Sequence, residues 1–184
     1  MTKLFIISML SWLLQPTATL GQQTAPPADM YAHHDATLLP NHNLTPGAIA
    51  LTDKKVICTK KWGKDARAVT AAMKAEVYAE YGQKPRAGIC AIVSHKNKAG
   101  ELVKNTGCEI DHLVSRELGG ADDVKNLWAQ PYLTPDQPGA YQKDKLENRL
   151  HVLVCTDKMV LSDAQACIMN DWATCYSQVF GATR

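Results

Sequence analysis

The most informative stretch of the sequence runs from Cys108 to Gln130 and contains the pair Asp111-His112, the pair Gly119-Gly120 and Asn126. The imidazole of a histidine, with an ordinary pKa of about 6.5, accepts a proton at neutral pH. A carboxylate is a hard oxygen ligand that suits Mg²⁺ or a similar cation. A carboxamide can hold a loop in place through hydrogen bonds to the backbone. A base, a cation and a fixed position for the base are together what hydrolysis of a phosphodiester bond requires.

The secondary structure around these residues determines whether they meet. Residues 107–114 predict a strand, residues 126–129 predict a second short strand, and the two glycines lie in the loop between them. Adjacent residues of a strand point to opposite faces, so Asp111 and His112 can serve one site only where the first strand ends and twists. Asn126 is then placed to fix the loop through side-chain hydrogen bonds to the backbone.

A helix predicted over residues 140–154 follows and offers candidates for a further metal ligand. Its apolar face consists of Leu146, Leu150, Leu153 and Val154. At about 100° per residue, Glu147 lies on the edge of this face, Gln142 lies inside it near the helix start, and Asp144 faces away. Glu147 is preferred because it is charged, with Gln142 and Asp144 as alternatives. A solvated position, or a surface pair with His151, is the simpler interpretation of Glu147.

Positive charge is concentrated in the middle of the chain. Residues 54–104 carry twelve Lys and Arg against four Asp and Glu, although the whole chain has a net charge of only +2. This uneven distribution predicts a local anionic partner. Arg116 and Lys143 are candidates to hold phosphate oxygens near the site, with ordinary surface charge as the alternative for both.

The remaining patterns complete an α+β organisation of helices and antiparallel strands. They predict a helix over residues 66–81, a strand over 87–94, a return strand beginning at 102–103 and a helix over 162–180. Ser162 and Gln165 have the spacing of a capping box at the start of the last helix. The indoles of Trp62, Trp128 and Trp172 are interpreted as core or site-wall residues rather than platforms for base stacking.

The N-terminus is typical of an exported protein. Lys3 precedes an apolar run from Leu4 to Leu14, and small residues follow, so residues 1–21 predict a signal peptide. Residues 22–50 are rich in Pro, Thr, Gln and Asn and predict a flexible lead-in. A membrane-anchored N-terminus is the alternative interpretation of the apolar run.

Six cysteines are present, an even number that favours disulfides in an oxidising compartment. No two of them form a CxxC pair, which argues against a zinc ribbon. Spacing alone leaves the connectivity open. Cys167 and Cys175 lie two turns apart on the helix predicted there, which is too far along its axis for a bridge without distortion.

The stretch from Asp111 to Leu127 resembles the HNH family of nucleases, also called His-Me finger or ββα-metal nucleases. The matching residues are Asp111-His112, Gly119-Gly120 and Asn126-Leu127. The similarity extends across most of the mature chain to a group of exported bacterial HNH proteins. The further segments are Leu44-Thr45-Pro46-Gly47, Val56-Ile57-Cys58, Val77-Tyr78-Ala79-Glu80-Tyr81-Gly82, Lys143-Asp144 with Glu147, Val154-Cys155, and Ala164-Gln165 with Asp171-Trp172.

The resemblance implies roles for three residues: His112 as the general base, Asp111 as a metal ligand and Asn126 as the anchor of the loop. The chain departs from the family at one point. Many members place His or Asn early in the final helix as another metal ligand, whereas residues 139–145 contain neither.

The fold that the resemblance implies is a disulfide-stabilised ββα-metal core over about residues 107–155, with flanking helices, inside a nuclease domain of residues 51–184. The implied activity is that of a secreted or periplasmic, metal-dependent HNH endonuclease that hydrolyses phosphodiester bonds of DNA, RNA or both with low sequence specificity. The expected cofactor is a divalent metal ion, Mg²⁺ first, with Mn²⁺, Ca²⁺ and Zn²⁺ as alternatives.

Nucleic acid is the expected partner, and the mature chain is expected to be a monomer without stable membrane association. Two other interpretations stay open. One is a catalytically degenerate HNH fold that binds nucleic acid or a partner without cutting. The other is a disulfide-stabilised exported protein with a structural or inhibitory role.

Overall fold

The computed structural model describes residues 30–34, 37–96, 101–105, 107–132 and 139–181, and in this part of the chain the fold is α+β. Three two-stranded antiparallel sheets and four α-helices are found in these ranges. The strands are β1 (Tyr31–His34), β2 (Thr37–Pro40), β3 (Val93–Lys96), β4 (Leu102–Asn105), β5 (Cys108–His112) and β6 (Leu127–Pro131). The helices are α1 (Lys54–Thr59), α2 (Ala71–Glu80), α3 (Ala140–Cys155) and α4 (Leu161–Phe180). The predicted signal peptide lies outside the described residues.

Two antiparallel strands followed by a helix form the part of the fold that carries the Asp-His pair. β5 pairs with β6 so that Asp111 lies opposite Trp128 and His112 lies opposite Leu127. Every residue of β6 is buried. The leucines at positions 146 and 150 of α3, spaced one turn apart, are fully buried as well. The two strands and the helix that the sequence predicted are therefore present, with ends shifted by a few residues.

The long loop between β5 and β6 is closed by the two glycines. Gly119 has a φ of 88°, in the left-handed region that favours glycine. A Cβ on Gly120 would lie 1.8 Å from the carbonyl oxygen of Val114. No side chain fits there, so the loop can return close to the end of β5 only because this position is glycine.

Residues 30–34 and 37–50 do not match the flexible lead-in expected for them. β1 and β2 form a hairpin that packs on the core, and Tyr31 and Leu39 are only 8% and 7% exposed. The hydroxyl of Tyr31 donates to the carbonyl oxygen of Ala129 on β6 at 2.8 Å. Polar composition concealed this packing because a few apolar side chains, widely spaced, are enough to attach a short hairpin.

The last helix is interrupted where the sequence predicted a continuous one. Asp171 has non-helical backbone angles inside α4 and accepts hydrogen bonds from the backbone N–H groups of Ala173 and Thr174, so it caps the second half. The interruption brings Cys167 and Cys175 to a Cα–Cα distance of 5.4 Å, where they form a disulfide. The sequence indicated that a bridge here would require distortion of the helix, and the interruption at Asp171 is that distortion.

The capping box expected at Ser162 and Gln165 is also absent. α4 begins at Leu161 after Val160, which makes no side-chain cap. Gln165 is buried and donates from Nε2 to the carbonyl oxygens of Leu51 and Leu118, at 3.0 and 2.8 Å. It therefore attaches α4 to the β5–β6 loop instead of capping its own helix.

Two other elements begin later than the sequence predicted. α2 begins at Ala71 because the side chain of Thr70 accepts from the backbone N–H of Met73 and caps it. Residues 88–90 form a 3₁₀ turn rather than the first part of a strand, and β3 begins at Val93. The return strand expected from residue 102 is confirmed as β4.

Two further disulfides connect the helices and the strands. Cys58 at the end of α1 is bonded to Cys155 at the end of α3, and Cys90 is bonded to Cys108 at the start of β5. No free cysteine is found among the described residues, so the prediction of a disulfide-stabilised fold is confirmed. In the same part of the chain, no helix combines the length and the apolar character that crossing a bilayer requires.

Candidate active site

His112 lies at the end of β5, 7% exposed, with its ring held by a carboxylate. Its Nε2 is 2.8 Å from Oδ1 of Asp122. Its Nδ1 makes no hydrogen bond to any residue that the structure describes. A neutral imidazole carries one N–H, and the carboxylate accepts it at Nε2, so the lone pair of Nδ1 is available to accept a proton.

The surroundings of the imidazole keep it neutral and keep Asp122 charged. Burial lowers the pKa of His112, and the hydrogen bond that His112 donates to Asp122 only partly opposes this shift. Burial would raise the pKa of Asp122, but the backbone N–H of Ala68, at 2.7 Å from Oδ2, and the bond to His112 lower it overall. At neutral pH the pair is therefore a neutral imidazole beside an ionised carboxylate.

Asn126 holds the loop that carries Asp122. Its Nδ2 donates to the carbonyl oxygens of Val114 and Ala121, both at 3.0 Å, and its Oδ1 accepts from the backbone N–H of Val114 at 3.0 Å. Oδ1 also accepts a longer bond of 3.4 Å from the N–H of Ala48. The side chain is fully buried. These are the side-chain to backbone hydrogen bonds that the sequence predicted for this residue.

Lys143 is fully buried beneath the site and surrounded by oxygen atoms. Its ammonium donates to Oδ2 of Asp111 at 2.7 Å, to the carbonyl oxygen of His112 at 2.6 Å, and to Oε1 of Glu147. Burial alone would lower the pKa of Lys143, but the two carboxylates outweigh it and raise the pKa. All three ammonium protons have protein acceptors, so the predicted phosphate contact would require one of these bonds to be exchanged.

A cleft of about 260 Å³ lies beside His112, and five of its twelve lining residues are acidic. The lining residues are Trp62, Gly63, Arg67, Glu109, Asp111, His112, Ser115, Arg116, Glu117, Asp144, Glu147 and Asn148. Asp111 and His112 thus share one site at the end of their strand, as expected. Burial, with repulsion from neighbouring carboxylates, raises the pKa values of Glu109, Glu117, Asp144 and Glu147. Crowded carboxylates of this kind favour a bound cation.

The candidates for a helix-borne ligand lie in different places. Glu147 lines the cleft and keeps one oxygen, Oε2, without a hydrogen bond to any described residue. Gln142 uses its Oε1 to accept from the backbone N–H of Gly139 at the start of α3. Asp144, expected to face away, also lines the cleft. The helical wheel misplaced Asp144 because the cleft opens along the flank of α3, beyond the edge of its apolar face.

Arg116 is held in an ion-pair network at the edge of the cleft. It donates to Asp65 and to the carbonyl oxygen of Ala66 at 3.0 Å, and its Nε lies 3.2 Å from Oδ1 of Asp122. Its side chain is 13% exposed. These bonds define the position of the guanidinium. Its role in holding phosphate stays a prediction.

Two residues of this network were not identified from the sequence. Asp122 lies in the same stretch as Asn126. Its place two residues after Gly120 was the one feature of the sequence that could have identified it. Asp65 pairs with Arg116 across 51 positions, and no local pattern indicates such a contact. Trp62 lines the cleft, while Trp128 and Trp172 are buried, which confirms their interpretation as site-wall and core residues.

A second group of potential metal ligands lies apart from this cleft. The ligand atoms of Cys58, His151 and Cys155 lie within 4.8 Å of one another. The two cysteines are bonded to each other, so neither offers a thiolate in this state. The group could bind a metal ion only after reduction.

In comparisons with known proteins, no family model, no curated protein and no solved structure matches the chain.

Proposed function

We propose that the protein is a metal-dependent nuclease of the HNH type that hydrolyses phosphodiester bonds of DNA, RNA or both. The observation that carries the proposal is the arrangement of His112. It lies at a strand end, with Nε2 bound to Asp122, with Nδ1 free of described partners, and beside a cleft rich in carboxylates. The order of β5, glycine loop, β6 and α3 supports the HNH assignment.

His112 acts as the general base in this proposal. Nδ1 takes a proton from a water molecule as the water attacks phosphorus, and the resulting imidazolium is stabilised by Asp122. A general base contributes about 10²- to 10⁴-fold to a rate when it is correctly placed. Asp122 and the Asn126-anchored loop supply that placement, so they are positioning residues.

The oxygen donors of the cleft fit a hard divalent cation such as Mg²⁺. Asp111 and Glu147 would hold it through Oδ1 and Oε2, the oxygens that no described residue binds, with Asp144 as the alternative on α3. Such an ion neutralises charge on the phosphate and on the departing oxygen. Lys143 keeps the two carboxylates side by side and compensates part of their charge.

A location outside the cytoplasm is part of the proposal. The described residues contain three disulfides, and such bonds persist in oxidising compartments. An exported nuclease of this kind requires no separate recognition domain, because a general nuclease contacts the backbone and not the bases.

A second candidate is a degenerate HNH fold that binds nucleic acid without cutting it. The specific observation in its favour is Lys143, whose ammonium occupies a place between Asp111 and Glu147 where a metal ion would otherwise bind. Cleavage decides between the two candidates, since both predict binding.

The test uses purified mature protein on plasmid DNA and on RNA, with Mg²⁺, Mn²⁺, Ca²⁺, Zn²⁺ or EDTA in parallel. We expect cleavage with a divalent cation, none in EDTA, and none for the His112→Ala variant, whose circular dichroism should match the wild type. Cleavage unaffected by EDTA, or full activity of His112→Ala, would overturn the mechanism. Binding without cleavage under every metal condition would establish the second candidate.

A further inference from the structure

The segment between α1 and α2 forms a positively charged wall of the cleft, which we call the basic loop (residues 60–67). We propose that this loop binds the sugar-phosphate backbone of nucleic acid, and that it does so without a metal ion. The proposal rests on the nuclease function above and names the surface that captures the substrate.

The basic loop is attached to Arg116, and the residue after it is attached to Asp122, which positions the proposed general base. Asp65 pairs with Arg116, and Ala66 accepts from the same guanidinium at 3.0 Å. Immediately after the loop, the backbone N–H of Ala68 donates to Asp122, the residue that holds His112. A polymer bound to the loop is therefore held at a defined distance from the catalytic base.

Three cations of the loop are available to an anionic ligand. Lys61, Lys64 and Arg67 are exposed and make no ion pair within the described residues. Arg67 also lines the cleft. Lys60 differs, since its ammonium lies 3.1 Å from Asp65. The loop thus presents three positive charges without an ion pair among the described residues, and one of them, Arg67, lines the cleft.

The carboxylates that line the cleft explain why a separate positively charged surface is needed. Five carboxylates line the cleft, and Lys143 compensates only part of their charge, so without a bound cation they oppose the approach of a phosphate. Attraction must then come from charges outside the carboxylate cluster, acting on phosphates that flank the one to be cleaved. The three cations of the basic loop meet this requirement, so capture and cleavage are separate steps with different dependence on metal.

The exposed cations of the basic loop suit contacts to the phosphate backbone, and the indole of Trp62 offers no polar atom to a base. The indole N–H of Trp62 donates to the carbonyl oxygen of Ile57 at 2.7 Å, and the ammonium of Lys60 lies 4.5 Å from the ring centroid. One face of the ring is therefore covered, and its only polar atom is used inside the protein. Contacts through phosphate carry no sequence information.

The test measures binding by fluorescence anisotropy with a labelled oligonucleotide of mixed sequence, in EDTA and in a His112→Ala background that leaves the probe intact. The loop variant combines Lys61→Ala, Lys64→Ala and Arg67→Ala. The control variant combines Lys55→Ala, Lys74→Ala and Lys84→Ala, three exposed lysines outside the cleft lining with the same change in charge. Circular dichroism checks the fold of both variants.

We expect the loop variant to raise Kd about tenfold or more, and the control to change it by no more than about threefold. Each lost phosphate contact should reduce the slope of log affinity against log salt by about 0.7 to 0.9, so the loop variant, which loses three, should lose about two to three units. Equal weakening in both variants, unchanged binding in the loop variant, or no binding with the loop intact would overturn the proposal.

Three further outcomes separate this proposal from others. Binding through the loop without metal-dependent cleavage would overturn the proposed nuclease function and support the binding surface. Metal-dependent cleavage by the wild type, with unchanged binding in the loop variant, would support the nuclease function and overturn the binding surface. Heparin, a sulfated polyanion, serves as competitor. If it binds through the same three side chains more tightly than the oligonucleotide, the assignment to nucleic acid is wrong.

Discussion

The bond between His112 and Asp122 decides which ring nitrogen can act as a base. Asp122 accepts the Nε2 proton at 2.8 Å, so the lone pair remains on Nδ1. In Asp122→Asn the side-chain amide can itself donate to Nε2, which moves the ring proton to Nδ1 and removes the base. We therefore expect kcat to fall by about 100-fold or more with KM nearly unchanged. Steady-state cleavage kinetics measure both parameters.

Asp123→Asn is the matched control, because the side chain of Asp123 only caps the turn at Lys125. Its kinetics should stay close to those of the wild type. A loss of the same size in both variants, or an Asp122→Asn effect confined to KM, would contradict the positioning role.

The buried ammonium of Lys143 predicts an unusual response to metal ions. In Lys143→Met, Asp111 and Glu147 would face each other without compensation, which should cost about 3 kcal/mol of unfolding free energy. A divalent cation can replace the lost charge, so Mg²⁺ or Mn²⁺ should raise the Tm of the variant more than that of the wild type. Thermal unfolding with and without the ion measures the difference.

Lys145→Met, at an exposed position of the same helix, serves as the control for Lys143→Met. It should change neither the stability nor the response to metal by a measurable amount. If metal raises the Tm of Lys143→Met no more than that of the wild type, the carboxylates are not cation ligands.

At the residue scale, the sequence indicates contacts that are close along the chain and misses those that are not. Asp111, His112 and Asn126 lie within one stretch, so a motif can identify them, and the bonds of Asn126 follow from its place after the loop. The ammonium of Lys143 joins Asp111 across 32 positions. Its burial depends on how α3 packs on β5, which no local pattern specifies.

At the scale of elements, the interruption in α4 makes a pH-dependent prediction. Burial would raise the pKa of Asp171, but its bonds to Thr174 and its pairing with His34 lower the pKa overall. A carboxylate with a lowered pKa in the folded state stabilises that state above the unfolded value of 3.8, and the contribution is lost as the pH falls through the folded value.

Asp171→Ala should therefore cost about 1 kcal/mol near neutral pH, the usual loss for a helix cap. The difference from the wild type should begin to shrink as the pH falls below the unfolded pKa of 3.8, and it should be lost once the pH falls through the lower folded value, where the folded wild-type carboxylate becomes protonated. Urea unfolding across the pH range measures this, with Asp163→Ala in the first turn of the same helix as control. A difference that does not change with pH would contradict the assignment.

The interruption also shows why elements are harder to predict than motifs. Apolar periodicity continues across Asp171, so Ile168, Trp172 and Cys175 fit one helical face, and the sequence predicted one helix. The tertiary bond to His34 on β1 helps to hold Asp171 in its non-helical conformation. Periodicity reports which side chains are buried, and it does not report whether the backbone between them is continuous.

At the scale of the whole molecule, opposite charges are segregated around one cleft. The carboxylates come from β5, the following loop and α3, while the exposed cations come from the segment between α1 and α2. Asp65 and Asp122 hold the two parts together through Arg116 and the N–H of Ala68. The fold places part of the basic middle segment beside the site, and the anionic partner predicted from that segment stays a prediction.

The disulfides predict how unfolding should depend on chain topology. Cys58–Cys155 closes a loop of 97 residues between α1 and α3, whereas Cys167–Cys175 closes one of 8 within α4. If the bonds act mainly by restricting the unfolded chain, paired Cys→Ser replacement should cost about 4.7 kcal/mol for the long loop and about 2.5 kcal/mol for the short one. Urea unfolding under non-reducing conditions compares the two variants. Activity should survive removal of the Cys167–Cys175 disulfide, because α4 contributes no residue to the cleft lining. If the short-loop variant loses more stability than the long-loop variant, strain or packing at the disulfides outweighs the entropy of the unfolded chain.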